Sequence, residues 1–221
     1  MSSLRHAVLV TAIVVVGCGP ADAPMVATAE RPNYLSGYPA LAREGVINVV
    51  VEIPAGTNEK WQVTKDGAGI EWELEAGRPR TIEYLAYPAN YGIVPATLLP
   101  RDRGGDGDPL DVVLLGPAVE RGSVVPARPI GVLRLLDDGE RDDKVLAVPL
   151  SGPLSGVHDL AELEADYPGA AEIVALWFTS YKGPGRLEST GFAEAEEALA
   201  TVLEASTYFR EESSRGDNEQ K

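Results

Sequence analysis

Hydrophobic positions along this chain of 221 residues change their period about two-thirds of the way through. Between residues 45 and 150 they come in short runs. Val46–Ile53 (VINVVVEI), Val112–Leu115, Ile130–Leu136 and Val145–Leu150 are apolar, rich in β-branched residues and bounded by Gly or Pro, which predicts strands. Lys60–Val63 and Ile70–Leu74 alternate as two further strands around a turn at Lys65-Asp66-Gly67, and Thr81–Leu85 is expected to add another. Past residue 155 the spacing turns helical. A short turn opens at Asp159-Leu160, runs to Glu164 and is broken at Pro168-Gly169. A helix from Ala170 presents Ile173, Leu176 and Trp177, and a second, Phe192 to Arg210, presents Leu199, Val202 and Leu203. Many short strands with Gly/Pro turns, followed by helices, predict an α+β fold that is mainly β: a small closed OB-like barrel with two or three flanking helices.

The ends read differently. Arg5 precedes an apolar run, Ala7 to Val16, that is too short for a stable membrane span. It ends in Val15-Val16-Gly17-Cys18, which resembles the lipobox of bacterial lipoproteins. Residues 1–17 are therefore expected to be a signal peptide and Cys18 a lipidated residue. Residues 18–44, Ala- and Pro-rich, are expected to be a flexible tether, residues 45–212 the folded domain, and residues 213–221 a disordered tail. An extracytoplasmic domain, lipid-anchored to a bacterial membrane, is the expected location. Gly19 follows the cysteine, so the Asp that retains Gram-negative lipoproteins at the inner membrane is absent.

A formal charge of −15 argues against a nucleic-acid partner, which would need a basic face. An anionic substrate would require bound cations and local Lys or Arg to reverse the field. The single cysteine allows no internal disulfide, and neither His6 nor His158 has a partner for a zinc site. Chemistry concentrates instead in Gly104–Gly116, where Asp106, Asp108 and Asp111 lead directly into the apolar run at Val112. Carboxylates this close repel one another unless a cation is present, and oxygen-only ligands suit Mg²⁺, Mn²⁺ or Ca²⁺. A structural calcium loop is the plain alternative, but an EF-hand would need a ligand where Leu110 stands and Gly where Asp111 stands. A phosphatase with an aspartyl nucleophile would want its apolar strand before the acids, not after them. Tyr87 and Tyr91, in Tyr87-Pro88-Ala89-Asn90-Tyr91-Gly92, read by themselves as aromatic core.

Taken in order, the motifs over about residues 46–205 resemble the family I soluble inorganic pyrophosphatases. The signature D-x-D-P-x-D stands as Asp106-Gly107-Asp108-Pro109-Leu110-Asp111. Glu52 lies in a V-E-I-P strand ahead of Lys60, and Tyr87 and Tyr91 match Y-P-x-N-Y-G. Asp137, Asp142 and Lys144 match D-x₄-D-x-K after Arg128-Pro129-Ile130-Gly131-Val132-Leu133, and Tyr181-Lys182 matches a Y-K pair. The resemblance implies hydrolysis of pyrophosphate by water activated by several Mg²⁺ ions, with Mn²⁺ or Zn²⁺ as substitutes. It implies metal-holding roles for Asp106, Asp111, Asp142, Asp137 and Glu52, with Asp108 as general base. Lys60, Arg80 or Arg78, Lys144, Tyr181 and Lys182 would grip phosphate, and Tyr87 and Tyr91 would orient groups around it. Family members assemble as hexamers in bacteria and dimers in eukaryotes, so a homo-oligomer is implied. Gln62 replaces the usual glutamate two positions after Lys60, and Arg78 and Arg80 both stand where one arginine is expected. These departures leave a weak or inactive relative, acting as a divalent-metal or phosphate binding module, as the alternative.

Overall fold

Five strands close a ring: β1 (Val46–Ile53), β2 (Asn90–Ile93), β3 (Asp111–Leu114), β4 (Val124–Asp137) and β5 (Lys144–Pro149). In the computed structural model, which describes residues 31–219, β1 pairs with β2 and β2 with β3, both antiparallel. β3 then pairs in parallel with β5, β5 antiparallel with β4, and β4 returns to β1. That order, first, second, third, fifth, fourth and back to first, is the expected OB-like closure. A further strand, β6 (Leu187–Glu194), lies along the second half of β4. The α-helices among the described residues are α1 (Leu160–Asp166), α2 (Ala170–Ser180) and α3 (Ala195–Glu219).

The continuous apolar runs follow from burial on both sides of the wall. Alternate residues of a strand point opposite ways, so Val112 and Leu114 of β3, with Val145 and Ala147 of β5, join one cluster that also holds Ala198, Val202 and Ala205 of α3. Their neighbours Val113, Leu115, Leu146 and Val148 join the other, against Leu163 of α1 and Val174, Trp177 and Phe178 of α2. Asp159 caps α1 by accepting from the Glu162 amide.

Several expectations are corrected. The folded domain begins by residue 31 rather than 45. Tyr34 is buried, its amide donates to Gly67 O at 2.8 Å, and Leu41–Arg43 pairs with β1. The expected signal peptide, Cys18 and the first part of the tether lie outside the described residues. Thr81–Leu85 is not a strand but forms a single bridge, Thr81 to Glu59. The Asn58 amide donates to the Ile82 and Tyr84 carbonyls, taking the place of a pairing strand. Phe192 belongs to β6, not to a helix, and α3 continues to Glu219 where a disordered tail was expected. On α2 the buried face is Val174, Trp177 and Phe178, while Ile173 and Leu176 point outward at 59% and 66% exposure. The register of a short helix is set by the bulkiest aromatic anchors, and Trp177 and Phe178 won it.

Strand β2 passes so close to β1 that Gly92 has no room for a side chain. A Cβ there would sit 1.9 Å from the Val50 carbonyl oxygen. Gly92→Ala is therefore expected to destabilise the metal-free protein by about 2–3 kcal/mol, read as a lower urea midpoint at unchanged m-value.

Candidate active site

The parallel pairing of β3 with β5 sets the centre of the site. Its register puts Val145 opposite Val112, so the residues one step earlier, Lys144 and Asp111, stand side by side where both strands begin. Lys144 is buried, and its ammonium donates to Asp111 Oδ2 at 2.5 Å and to Asp142 Oδ1. Burial disfavours the charged lysine, yet the two carboxylates outweigh it and raise its pKa. Asp142 is itself pushed up by burial and by Asp111, against the pull of Lys144.

The acidic loop is built before it reaches β3. Gly107, at φ 86°, lets the chain turn so that the Asp108 amide donates to Asp106 Oδ1 at 2.9 Å. The loop is stitched to Leu99 by Gly107 N to Leu99 O at 2.8 Å and Leu99 N to Asp108 O at 2.9 Å. Thr97, buried, accepts from the Leu110 amide at 3.0 Å. Asp108 is raised above the ordinary carboxylate range by partial desolvation and by the charges of Asp106 and Asp111.

Glu52 closes the opposite wall. It is 4% exposed within the ring, so it is not an edge residue. Its Oε1 accepts from the Val63 amide at 2.6 Å. Desolvation pushes its pKa up to about 7, with Lys60 and the Val63 amide pulling the other way. Glu52, Lys60, Gln62, Glu73, Tyr91, Asp106, Asp108 and Asp111 line one open cleft, while Arg78, Arg80, Tyr181 and Lys182 line a second. The Arg80–Glu73 ion pair, 2.6 Å, joins the two. Lys182 pairs with Asp137.

An aromatic wall backs the site. Trp177 stacks on Tyr181 with centroids 4.7 Å apart and lies tilted against Tyr87 at 4.4 Å, and Tyr91 meets Tyr87 at 5.6 Å. Tyr87 and Tyr91 are buried, and desolvation drives both phenols far above their usual range. The Lys60 ammonium lies 4.9 Å from the Tyr91 ring centre.

Many of the named residues thus line two joined clefts, while Asp137, Asp142 and Lys144 line neither and are tied to cleft residues or to each other by ion pairs. Arg80 faces Glu73 and the field of Tyr181, whereas Arg78 is exposed on the Leu74–Pro79 hairpin. Tyr87 lines neither cleft and acts from behind. Glu73, Trp177 and Thr97 are members that the motifs did not single out. Only the Trp-x₃-Tyr spacing, one turn of a helix, could have pointed to Trp177.

Among the described residues no group of three or more acidic or histidine side chains is gathered as a ready-made metal centre. Asp111 and Asp142 converge instead on the Lys144 ammonium, a cation standing between two carboxylates. The donor set is carboxylate oxygen throughout, with no thiol or imidazole, and it fits a hard divalent cation.

Known proteins share this sequence pattern and fold. The family described as inorganic pyrophosphatase matches residues 49–210. An inorganic pyrophosphatase of Gluconobacter oxydans is 37% identical over 166 residues, spanning 72% of this chain and 88% of that one. One of Synechocystis is 35% identical over 179 residues, 77% of this chain and 95% of that one. The crystal structure of a type I inorganic pyrophosphatase from Toxoplasma gondii superposes with a TM-score of 0.75 at 30% identity, covering 82% of this chain and 88% of that one.

Glu52 makes the metal-free protein pH-sensitive in a definite direction. Unfolded, it ionises at its ordinary 4.5; folded, at about 7. Above pH 4.5 ionisation therefore favours the unfolded chain, and the penalty is complete above about pH 7, on the order of 3 kcal/mol. Glu52→Gln in EDTA is expected to melt higher than the wild type at pH 8, with the difference vanishing below pH 5 in thermal scans.

Proposed function

The chain belongs to the inorganic pyrophosphatase family, and we propose that it hydrolyses inorganic pyrophosphate to two phosphates in a Mg²⁺-dependent reaction at the barrel rim. One observation carries the reading: Asp111 and Asp142, thirty-one positions apart in sequence, share a single cationic point beside the loop of Asp106 and Asp108. Asp106, Asp111 and Asp142 would hold the activating ions, and Asp137 and Glu52 the ions that accompany substrate. When bound, Mg²⁺ lowers the pKa of coordinated water and neutralises charge on the phosphates, and Mn²⁺ or Zn²⁺ would substitute for it.

The side chains do the rest. Asp108 takes the proton of the attacking water, and the crowding that raises its proton affinity makes it a better base than an isolated carboxylate. Lys60, Arg80, Lys144, Tyr181 and Lys182 grip phosphate oxygens. Arg80, Lys144 and Lys182 are each paired with an acid of the site, Glu73, Asp111 with Asp142, and Asp137. Arrival of an anion with its cations lets these pairs exchange partners without leaving a charge bare. Tyr87 and Tyr91 orient the lysines from behind. Gln62 lines the cleft and turns its amide toward Glu71 at 3.4 Å, so its loss of charge is felt beside the carboxylates rather than among them.

A homo-oligomer is part of the same reading, supported by the outward-facing Ile173 and Leu176 of α2. So is an extracytoplasmic address through a lipid on Cys18, supported by Val15-Val16-Gly17-Cys18 and the short apolar run before it.

Phosphate release from pyrophosphate with Mg²⁺ is expected for the wild type and to be abolished by EDTA. Asp108→Asn is expected to lower kcat by about 10²–10⁴-fold. Equal rates near background for both proteins would end the enzyme reading in favour of a binding module. In cells, a palmitate analogue is expected to label the wild type and not Cys18→Ser, and equal labelling would remove the anchor.

A further inference from the structure

Between Asp142 and Lys144 stands a residue to which the reaction assigns nothing. Asp143 is 8% exposed. In extended chain, neighbours point to opposite sides, so while Asp142 and Lys144 meet at Asp111, Asp143 is turned away from them. Its Oδ1 accepts from the Leu135 amide at 3.1 Å. Its Oδ2 accepts from Arg141 Nε at 2.6 Å and from Arg134 Nη1. Arg134 extends its other nitrogen to Glu197 in the first turn of α3.

The contact with Leu135 marks a break in the ladder. Strand β4 pairs Asp137 with Glu140 and Leu136 with Arg141 before the break, and Leu133 with Lys144 after it. The register is the same on both sides, so Asp142 lies opposite Leu135, and its amide donates to the Leu135 carbonyl at 2.9 Å. A regular antiparallel pair would return the Leu135 N–H to the Asp142 carbonyl. Here it goes to the Asp143 side chain instead, and the strand pairing is interrupted at Asp142 and Asp143.

We propose that Asp143 is a positioning residue: by taking the ladder bond of Leu135 and pinning Arg134 and Arg141, it fixes the break that aims Asp142 and Lys144 at Asp111. The proposal rests on the reading of Asp142 and Lys144 as metal- and phosphate-holding residues. It makes the two arginines and Glu197 a brace that carries the start of α3 to the rim of the site. A merely structural Asp143 would alter melting temperature and leave metal affinity alone.

The test titrates metal-free protein with Mn²⁺, read by electron paramagnetic resonance, beside hydrolysis as a function of Mg²⁺. Asp143→Ala is expected to weaken Mn²⁺ binding and raise the Mg²⁺ requirement by about tenfold or more, with kcat at saturating Mg²⁺ changed far less. Arg141→Ala, at an exposed side chain, removes one of the three donors. It is expected to weaken Mn²⁺ binding in the same direction but less than Asp143→Ala, and it decides the matter if Asp143→Ala does not fold. Wild-type Mn²⁺ affinity in either folded variant, with the wild type active, overturns this inference alone. A wild type that neither hydrolyses pyrophosphate nor binds Mn²⁺ overturns the functional reading, and this inference with it.

Discussion

Everything at this rim depends on one ammonium group held between two carboxylates. Lys144 is buried, which disfavours its charge, yet Asp111 and Asp142 outweigh that and hold it protonated. The contact exists because β3 and β5 run parallel and start together, which brings residues 111 and 144 abreast. Parallel neighbours need a crossover, and the long β4, which pairs with β5 on one side and β1 on the other, supplies it. Ring closure and active-site geometry are thus the same event.

Electrostatics explains why the site is poised rather than finished. Carboxylates gather on both walls, and Glu52, Asp108 and Asp142 all respond by holding their protons more tightly than isolated acids do. Desolvation leads in each case, and like charge adds to it. The lysines and Arg80 offset part of this repulsion by pairing with individual acids. Divalent cations, as proposed, would answer the remainder, since they favour ionised oxygen ligands over protonated ones. In the proposed reaction a negatively charged protein would take an anionic substrate because cations held at the rim would reverse the local sign.

The scaffold supplies rigidity in places remote from the acids. Leu99 and Thr97 hold the loop of Asp106 to Leu110 by main-chain and hydroxyl bonds. Trp177 is tied by its indole N–H to the Leu85 carbonyl at 2.9 Å, stacks on Tyr181 and meets Tyr87 at a tilt, so α2 fixes the two ends of the aromatic wall. Such stacked rings lose little freedom on binding, which is how a site keeps its geometry when its charges exchange partners.

How much of this was legible in the primary structure depended on range. Strands β1, β3 and β5, the caps and breakers of α1 and α2, and the convergence of Asp111, Asp142 and Lys144 could all be read. Local burial and ordered motifs leave marks on nearby residues. The strand at Leu187–Glu194 could not be read, because it is mostly exposed and interrupted at Gly191, so no alternation of apolar residues announces it. The folding of residues 31–44 onto the domain was hidden in the same way, since Tyr34 gains its burial from Gly67 and Gly122, far along the chain. The pairing of Arg80 rather than Arg78 with Glu73, and the bonds of Asp143 to Leu135, Arg134 and Arg141, were likewise visible only in three dimensions. An ion pair or a borrowed ladder bond is a property of two segments meeting, and neither segment carries it alone. Residue type by itself determined which chemistry the protein has available; the closing of the ring decided which of those groups touch.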